Sequence, residues 1–226
     1  METFEALTRR HGVLRYRPDP VEPEKIERVL RAAIAAPSPA NTQPWAFVVV
    51  TEPELARRVA AELVRMQKEH VFCRLLEVPE PFVDHLMHLY DDFANVPCFI
   101  VVCRQRRADW AGEEHAALVR DWELCSLGAA MANLMAAAAD LGLGTRWFGN
   151  PMADGGVSLK RLLGIPEEVE VVAVTPLGTH DEPPKERPVQ SVDVHAGFQR
   201  GDKHKLAALL QGKLALEDVV HTNRYG

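Results

Sequence analysis

The sequence lacks the features that mark nucleic-acid-binding, membrane and secreted proteins. Among its 226 residues, 32 acidic side chains outnumber 26 basic ones, and the formal net charge of -6 argues against the basic face that a nucleic acid requires. The most apolar stretch, residues 124–143, is rich in alanine and contains Asn133 and Asp140, so it falls short of a membrane span. Residues 1–20 are charged and show no signal peptide. We therefore expect a cytoplasmic protein without nucleic-acid or membrane partners.

The sequence is also poor in the patterns of metal centres and dinucleotide sites. Its four cysteines form no CxxC pair, which favours buried free thiols over a zinc site or a redox dithiol. His85 and His88 stand three residues apart on a predicted helix, but no further ligand follows at a recognisable interval, so no metal site is predicted. Gly142 and Gly144 lack the third glycine of a dinucleotide fingerprint. No nucleophile–base arrangement is visible either.

The apolar residues, 47% of the chain, are spaced as in one domain of helices and buried strands. Pro23 opens an amphipathic helix, which Pro37 ends. Continuous apolar runs at residues 45–50 and 97–103 predict strands buried on both faces. The further predicted helices cover residues 2–11, with Gly12 as a left-handed stop, 54–69, 81–93, 159–163 and 203–210, and the further strands cover 144–148 and 169–176.

The longest predicted helix covers residues 113–141. Its apolar seam advances by four- and three-residue steps through Leu124, Leu127, Met131, Leu134, Ala138 and Leu141. Such a seam calls for a long helical partner. Two interpretations stay open. The helix is either a core helix covered by its own domain or the central helix of a dimer, whose small residues keep its other faces apolar.

Three polar segments hold side chains that a packed core would not accommodate. The basic stretch RRHGVLRY at residues 9–16 is either a solvated face or a phosphate clamp. In the proline-stiffened loop PSPANTQPW at 37–45, Asn41 and Gln43 share one face of an extended chain, which favours binding of a heterocycle over a simple turn. The segment GTRWFGN at 144–150 can offer a backbone N–H and aromatic side chains to a ligand ring.

The order of these segments resembles the nitroreductase family of FMN enzymes. The most specific match is APSPANTQPW at residues 36–45, and LGIP at 163–166, PLG at 176–178 and LEDVVHTNRYG at 216–226 support it. The resemblance implies an α+β fold, with a central and mostly antiparallel sheet flanked by helices. It also implies an intertwined homodimer that binds FMN at the subunit interface. One domain then spans 1–226, with an insertion at about 188–212 and a C-terminal tail, 214–226, exchanged between subunits.

The resemblance also assigns cofactor-binding positions. Arg10 and His11 fall where the family holds the FMN phosphate and ribityl chain. The positions that line the flavin from the partner subunit are Pro37, Ser38, Asn41 and Gln43, and those near the isoalloxazine ring are Trp147, Phe148 and Gly149. A backbone N–H near Gly149 is expected to reach N5. The second phosphate cation is either the pair Lys185 and Arg187, which we prefer, or Lys213 beyond the insertion.

Two residues depart from the family pattern. Gly12 stands where the family usually has serine, so a hydroxyl contact to the phosphate is lost. Leu14 stands where the family usually has arginine or lysine near N1 and O2 of the flavin. A cation there stabilises the negative charge that develops on reduction. Arg15 and Arg146 are the candidates to replace it.

The implied activity is a ping-pong oxidoreductase that uses NADH or NADPH to reduce a nitroaromatic, a quinone or a similar small acceptor. No catalytic side chain is required, because the flavin N5 carries the chemistry. A second hypothesis keeps the fold and makes the protein a reductive dehalogenase or a flavin-degrading enzyme, with residues 72–89 as the lid. A third is a flavin-binding protein with little turnover, because of Gly12 and Leu14.

Overall fold

The computed structural model describes residues 2–106, 111–182, 189–190, 213–214 and 220. Its α-helices are α1 (Thr3–Arg9), α2 (Pro23–Ile34), α3 (Pro53–Met66), α4 (Glu80–Met87), α5 (Ala116–Asp140) and α6 (Val157–Leu163). Its strands are β1 (Trp45–Val50), β2 (Cys98–Arg104), β3 (Gly144–Thr145), β4 (Glu170–Gly178), β5 (Val189–Gln190) and β6 (Lys213–Leu214). Helices together with an antiparallel four-stranded sheet confirm the predicted α+β class.

Four strands form an antiparallel sheet in the order β1-β2-β4-β3. The central strand β2 is buried on both faces, as its apolar run predicts. The similar run in β1 does not have this burial, and Val49 is 38% exposed, because β1 is an edge strand. The predicted strand at 144–148 is also shorter than expected. Beyond Thr145 the chain leaves the ladder and returns only at a single bridge, Phe148 to Val174.

Alternate residues of β2 enter two separate cores, because successive strand side chains point to opposite faces. Phe99 and Val101 pack with α3 and with an aromatic group formed by Tyr16, Tyr90, Phe93 and Phe148. Ile100 and Val102 pack on the other face, against α2 and α5. The sheet is therefore covered by helices on both faces.

The seam of α5 lies in the second core. Leu127, Met131, Leu134 and Ala138 are buried against α2 and the sheet of the same chain. The interpretation of this seam as a core helix covered by its own domain is confirmed. The opposite face of α5 is different, because Leu118 is 47% and Trp122 44% exposed and Cys125 is exposed beside them. Any partner helix has this outer stripe available, not the seam.

Several boundaries differ from the prediction. Helix α1 ends at Arg9, and Gly12 is extended, with none of the positive φ that a left-handed stop requires. Helix α3 changes at Gln67 into a π-helix, Gln67–Leu75, and the predicted helix 81–93 stops at Met87. All four cysteines are free, but only Cys98 and Cys103 are buried.

The predicted helix at 203–210 lies outside the described residues, as do nearly all of the insertion and the tail. The parallel pairing of Val189 with Lys213 joins the two ends of the predicted insertion. Within the described ranges, no helix is long and apolar enough to cross a membrane.

Candidate functional site

The basic N-terminal segment is held in place by backbone pairing after α1 ends. Gly12 forms a parallel bridge with Thr145 of β3, and the Val13 N–H donates to the Thr145 carbonyl at 3.0 Å. The carboxylate of Glu182, which follows β4, accepts the N–H groups of Leu14 and Arg15, both at 2.8 Å. The segment is therefore fixed between β3 and the chain that leaves β4.

This pairing closes a cleft of about 160 Å³ beside the basic segment. Arg9, Arg10 and His11 line it together with Gly144 and Thr145 of β3 and with His180 and Glu182. The predicted residues Arg10 and His11 thus come together with two residues, His180 and Glu182, that the sequence did not single out. Their only signal in the sequence was their position after the PLG motif.

Two imidazole rings face each other in the cleft. The centroids of His11 and His180 are 5.5 Å apart in an edge-to-face arrangement. Burial, and then the charge of His11, lower the pKa of His180, so its neutral form is favoured. Within the described part of the chain, His11 Nε2 and His180 Nδ1 are buried without a hydrogen-bond partner. Buried polar atoms without partners are rare, and they favour an additional ligand at this position.

The loop that follows α2 is strained. Ala40, Asn41 and Gln43 have φ values of 47°, 54° and 48°, in the left-handed region that residues other than glycine rarely occupy. The Gln43 N–H donates to Ser38 Oγ at 3.0 Å, which stabilises this conformation. Pro37, Asn41 and Gln43 are exposed, and none of the four predicted loop residues lines the cleft. Clustered backbone strain is typical of ligand-binding loops.

The turn after β3 presents backbone and one aromatic side chain. Trp147 is 44% exposed, and its indole nitrogen would lie 3.6 Å from a Cβ at Gly149. Phe148 is 3% exposed and packs on Phe93, and its backbone N–H and C=O both pair with Val174, so Trp147 and the backbone of Gly149 are the groups this turn presents to a ligand. Asn150 anchors the turn, because its side-chain amide donates to the Leu63 carbonyl at 3.0 Å, near the end of α3.

The remaining predicted positions differ in accessibility. Leu14 is buried at the edge of the first core, and Lys213 is exposed in β6. Lys185 and Arg187 lie outside the described residues. The choice between them and Lys213 stays a prediction, although β5, which pairs with β6, begins two residues after Arg187. At His85 and His88, where no metal site is predicted, the described parts of the chain form no potential metal-binding cluster.

The chain is similar to proteins of known family. The model of the nitroreductase family matches residues 7–179. An Archaeoglobus fulgidus protein provisionally named NADH dehydrogenase/NAD(P)H nitroreductase is 30% identical over 178 residues, which are 78% of this chain and 84% of that protein. Rat iodotyrosine deiodinase 1 is 26% identical over 182 residues, covering 78% of this chain and 61% of that protein.

A solved structure has the same fold. The NADPH:FMN oxidoreductase from Vibrio harveyi, complexed with NAD+, superposes with a TM-score of 0.65 at 19% identity, over 99% of this chain and 78% of that one. With the family match over residues 7–179, these similarities lead to one conclusion. The chain belongs to the nitroreductase family and is an oxidoreductase.

Proposed function

We propose that the protein binds FMN and catalyses NAD(P)H-dependent reduction of small electron-poor acceptors. The observation that carries this proposal is the basic cleft with its unpartnered imidazole nitrogens at His11 and His180. A phosphate and a polyol chain supply the hydrogen-bonding oxygens that the buried imidazole nitrogens of His11 and His180 lack within the described residues. Glu182 also lines the cleft, but its Oε1 accepts the N–H groups of Leu14 and Arg15, so the basic side chains and the imidazole nitrogens are the groups that fit the phosphate end of FMN.

The chain's own groups hold and orient the cofactor in this proposal. Arg10 and His11 bind the phosphate and ribityl end. The exposed backbone of Gly149, which has no side chain to cover it, offers its N–H toward N5, and Asn150 fixes the turn. Bound FMN supplies a two-electron carrier, which accepts a hydride from NAD(P)H and passes it on to a nitroaromatic or quinone.

One chain supplies only part of this site. The cleft of about 160 Å³ is smaller than the roughly 300–1,000 Å³ pockets that enclose whole organic ligands. The strained loop with Ser38, Asn41 and Gln43 offers polar groups that do not line it. We therefore place this loop over the flavin of a second copy of the chain. The outer stripe of α5, with Leu118, Trp122 and Cys125, is the surface we assign to that dimer.

Optical spectroscopy tests the cofactor and the reaction. The purified protein is expected to be yellow, or to bind added FMN with quenching of flavin fluorescence, and NADH or NADPH is expected to bleach it anaerobically. A nitroaromatic or quinone should then restore the colour. A protein that fails to bind FMN would overturn the proposed function. If neither NADH nor NADPH reduces the bound flavin, the proposal is limited to flavin binding without catalysis.

Thiol labelling tests the dimer. Cys73 and Cys125 are both exposed in the single chain. If the stripe around Trp122 forms the interface, Cys73 should react with a maleimide quickly and Cys125 slowly, as followed by peptide mass spectrometry. Equal labelling rates, together with a monomer mass by light scattering at micromolar concentration, would contradict the dimer.

The similarity to iodotyrosine deiodinase supports a second candidate, reductive dehalogenation at the same site. The reaction consumes two electrons and one proton, and an aryl carbon–halogen bond is replaced by carbon–hydrogen with release of halide. The predicted lid begins in the π-helix Gln67–Leu75, and π-helical turns are frequent at functional sites. Halide release from a halophenol by the reduced protein, measured with an ion electrode, distinguishes this candidate from the reduction of nitro compounds.

A further inference from the structure

The side chain of Arg146 lies against Gly12, the smallest residue of the basic segment. A Cβ placed on Gly12 would be 3.3 Å from Arg146 Nη1 and 3.7 Å from its Cγ. The guanidinium carbon of Arg146 also lies 5.5 Å from the centroid of the Phe148 ring. A serine at position 12 would press its Cβ against this guanidinium. Gly12, which departs from the family pattern, therefore provides the space that Arg146 occupies.

Among the described residues, no carboxylate forms an ion pair with Arg146. None of the ion pairs within the described ranges includes Arg146, whereas Arg17, Arg28 and Arg65 all pair with acidic side chains. Its neighbours are phenols. Burial raises the pKa of Tyr90 and raises that of Tyr16 well above the ordinary value, and the charge of Arg146 opposes both shifts. A partly exposed guanidinium that is not paired with a carboxylate in the described residues can pair with a negative group that binds beside it.

The face of the segment against which Arg146 lies distinguishes Arg146 from Arg15 as the replacement for the cation missing at Leu14. In an extended chain alternate residues share a face, so Gly12 and Leu14 are on one face and His11 and Val13 are on the other. His11 and Val13 line the phosphate cleft. Arg146 crosses the Gly12 face, which is also the face of Leu14, where the expected cation is missing. Arg15, the other candidate, is on the opposite face and is exposed.

We propose that Arg146 is the cation that tunes the bound flavin in this protein. It replaces the charge missing at Leu14 and uses the space left by Gly12, so that both departures from the family pattern have one cause. Its guanidinium stabilises the negative charge that reduction places on the N1–O2 edge of the flavin. The inference depends on the proposed FMN binding and adds a residue that determines the potential of the site.

The test is the midpoint potential of the bound FMN, from anaerobic reductive titration against a reference dye. Arg146→Leu should shift the two-electron equilibrium at least tenfold toward the oxidised flavin, which corresponds to a potential lower by about 30 mV or more. Arg146→Lys should keep most of the wild-type potential. Arg161→Leu is the matched control, because Arg161 is exposed on α6, and it should leave the potential unchanged. Gly12→Ser should displace the guanidinium and lower the potential less than Arg146→Leu does.

An Arg146→Leu protein that binds FMN at the wild-type potential would overturn the inference and leave the proposed function intact. Wild-type protein that does not bind FMN would overturn the proposed function itself. Should the leucine variant not fold, Arg146→Gln keeps hydrogen-bonding capacity without the charge and is expected to show the same fall in potential. A wild-type potential in that variant also overturns the inference.

Discussion

The two polar regions of the candidate site are held in different ways. The segment at residues 10–16 is fixed by its bridge to β3 and by the carboxylate of Glu182, so its conformation is set within one chain. The loop at residues 37–43 instead has three residues with positive φ, and Ser38 Oγ, which accepts the Gln43 N–H, is its described side-chain support. Both segments were predicted to bind the same cofactor.

This difference separates a segment whose conformation is set by backbone pairing from a loop that is strained within the single chain. Backbone pairing fixes residues 12–15 without a ligand, so under the proposed function folding and FMN binding depend on the same contacts there. The positive φ angles of the loop cost free energy in the single chain, and we expect ligand contacts to offset this cost. Changes that disturb the paired backbone of the first region should therefore weaken both folding and FMN binding, whereas changes in the loop should separate the two.

The largest effect is expected from Gly144→Ala in β3. A Cβ at this position would lie 2.8 Å from His180 Cδ2 and 2.9 Å from Val13 Cγ2. Because Val13 is buried and paired with β3, the clash cannot relax without opening the cleft. We expect a loss of about 1–3 kcal/mol in the free energy of unfolding. FMN affinity, measured by fluorescence quenching, should fall with it.

Gly128→Ala is the matched control for this change. Gly128 lies in α5, and a Cβ there meets no atom within 4 Å. Alanine should stabilise the helix by about 0.5–1 kcal/mol. If both variants changed the unfolding midpoint in urea equally, the clash at the cleft would not be the cause.

A smaller effect, confined to binding, is expected from His11→Ala. The Nε2 atom has no partner to lose within the described residues, and the Nδ1 contact with the Arg9 carbonyl is long at 3.3 Å, so the free energy of unfolding should change less than the free energy of FMN binding. Hydrogen bonds to a charged phosphate contribute about 1.5–3 kcal/mol, so FMN should bind roughly tenfold to a hundredfold more weakly. His115→Ala, at an exposed histidine that precedes α5, is the control and should bind FMN normally. Unchanged FMN affinity in His11→Ala would contradict the proposal that His11 binds the FMN phosphate.

The sequence predicted the elements and the family better than it predicted the contacts. Residue spacing identified α2, α5 and β2, because burial of one face, or of both, follows from periodicity. Periodicity does not say what covers a face, which is why the α5 seam left two interpretations open. The run in β1 matched that in β2, and only the strand order makes β1 an edge strand.

The site was predicted as short segments rather than as an arrangement. His180 comes to His11 only through the pairing of β3 with β4, which no local motif encodes. The position of Arg146 over Gly12 likewise depends on the parallel bridge between Gly12 and Thr145. The positive φ of Ala40 could not be foreseen either, because alanine has no preference for that region.

The substitution Ala40→Gly in the loop should weaken FMN binding without lowering the free energy of unfolding. Glycine removes a left-handed penalty of roughly 1–2 kcal/mol per residue but adds chain entropy of roughly 0.5–1 kcal/mol. The net effect on unfolding should be neutral or stabilising by less than about 1 kcal/mol. FMN should bind severalfold more weakly, because the loop is less preorganised. Ala61→Gly on the exposed side of α3 is the control, expected to destabilise by about 1 kcal/mol without affecting FMN. A parallel loss of stability and affinity in Ala40→Gly would contradict the proposed division of the site.

The smallest effect concerns pH and returns to the rigid region. Folding lowers the pKa of His180 through burial and the charge of His11, while Glu182 and Asp181 oppose this. Below the ordinary value of 6.5, the unfolded chain therefore binds a proton that the folded chain does not. This contribution to stability is complete above that pH and is lost as the pH falls toward the lowered pKa.

Thermal unfolding of the FMN-free protein between pH 8 and about pH 5 should show a steeper decline in unfolding temperature for wild type than for His180→Gln. Added FMN should flatten the wild-type decline, since a phosphate in the cleft favours the protonated imidazole. A decline that FMN leaves unchanged would place the phosphate away from His180.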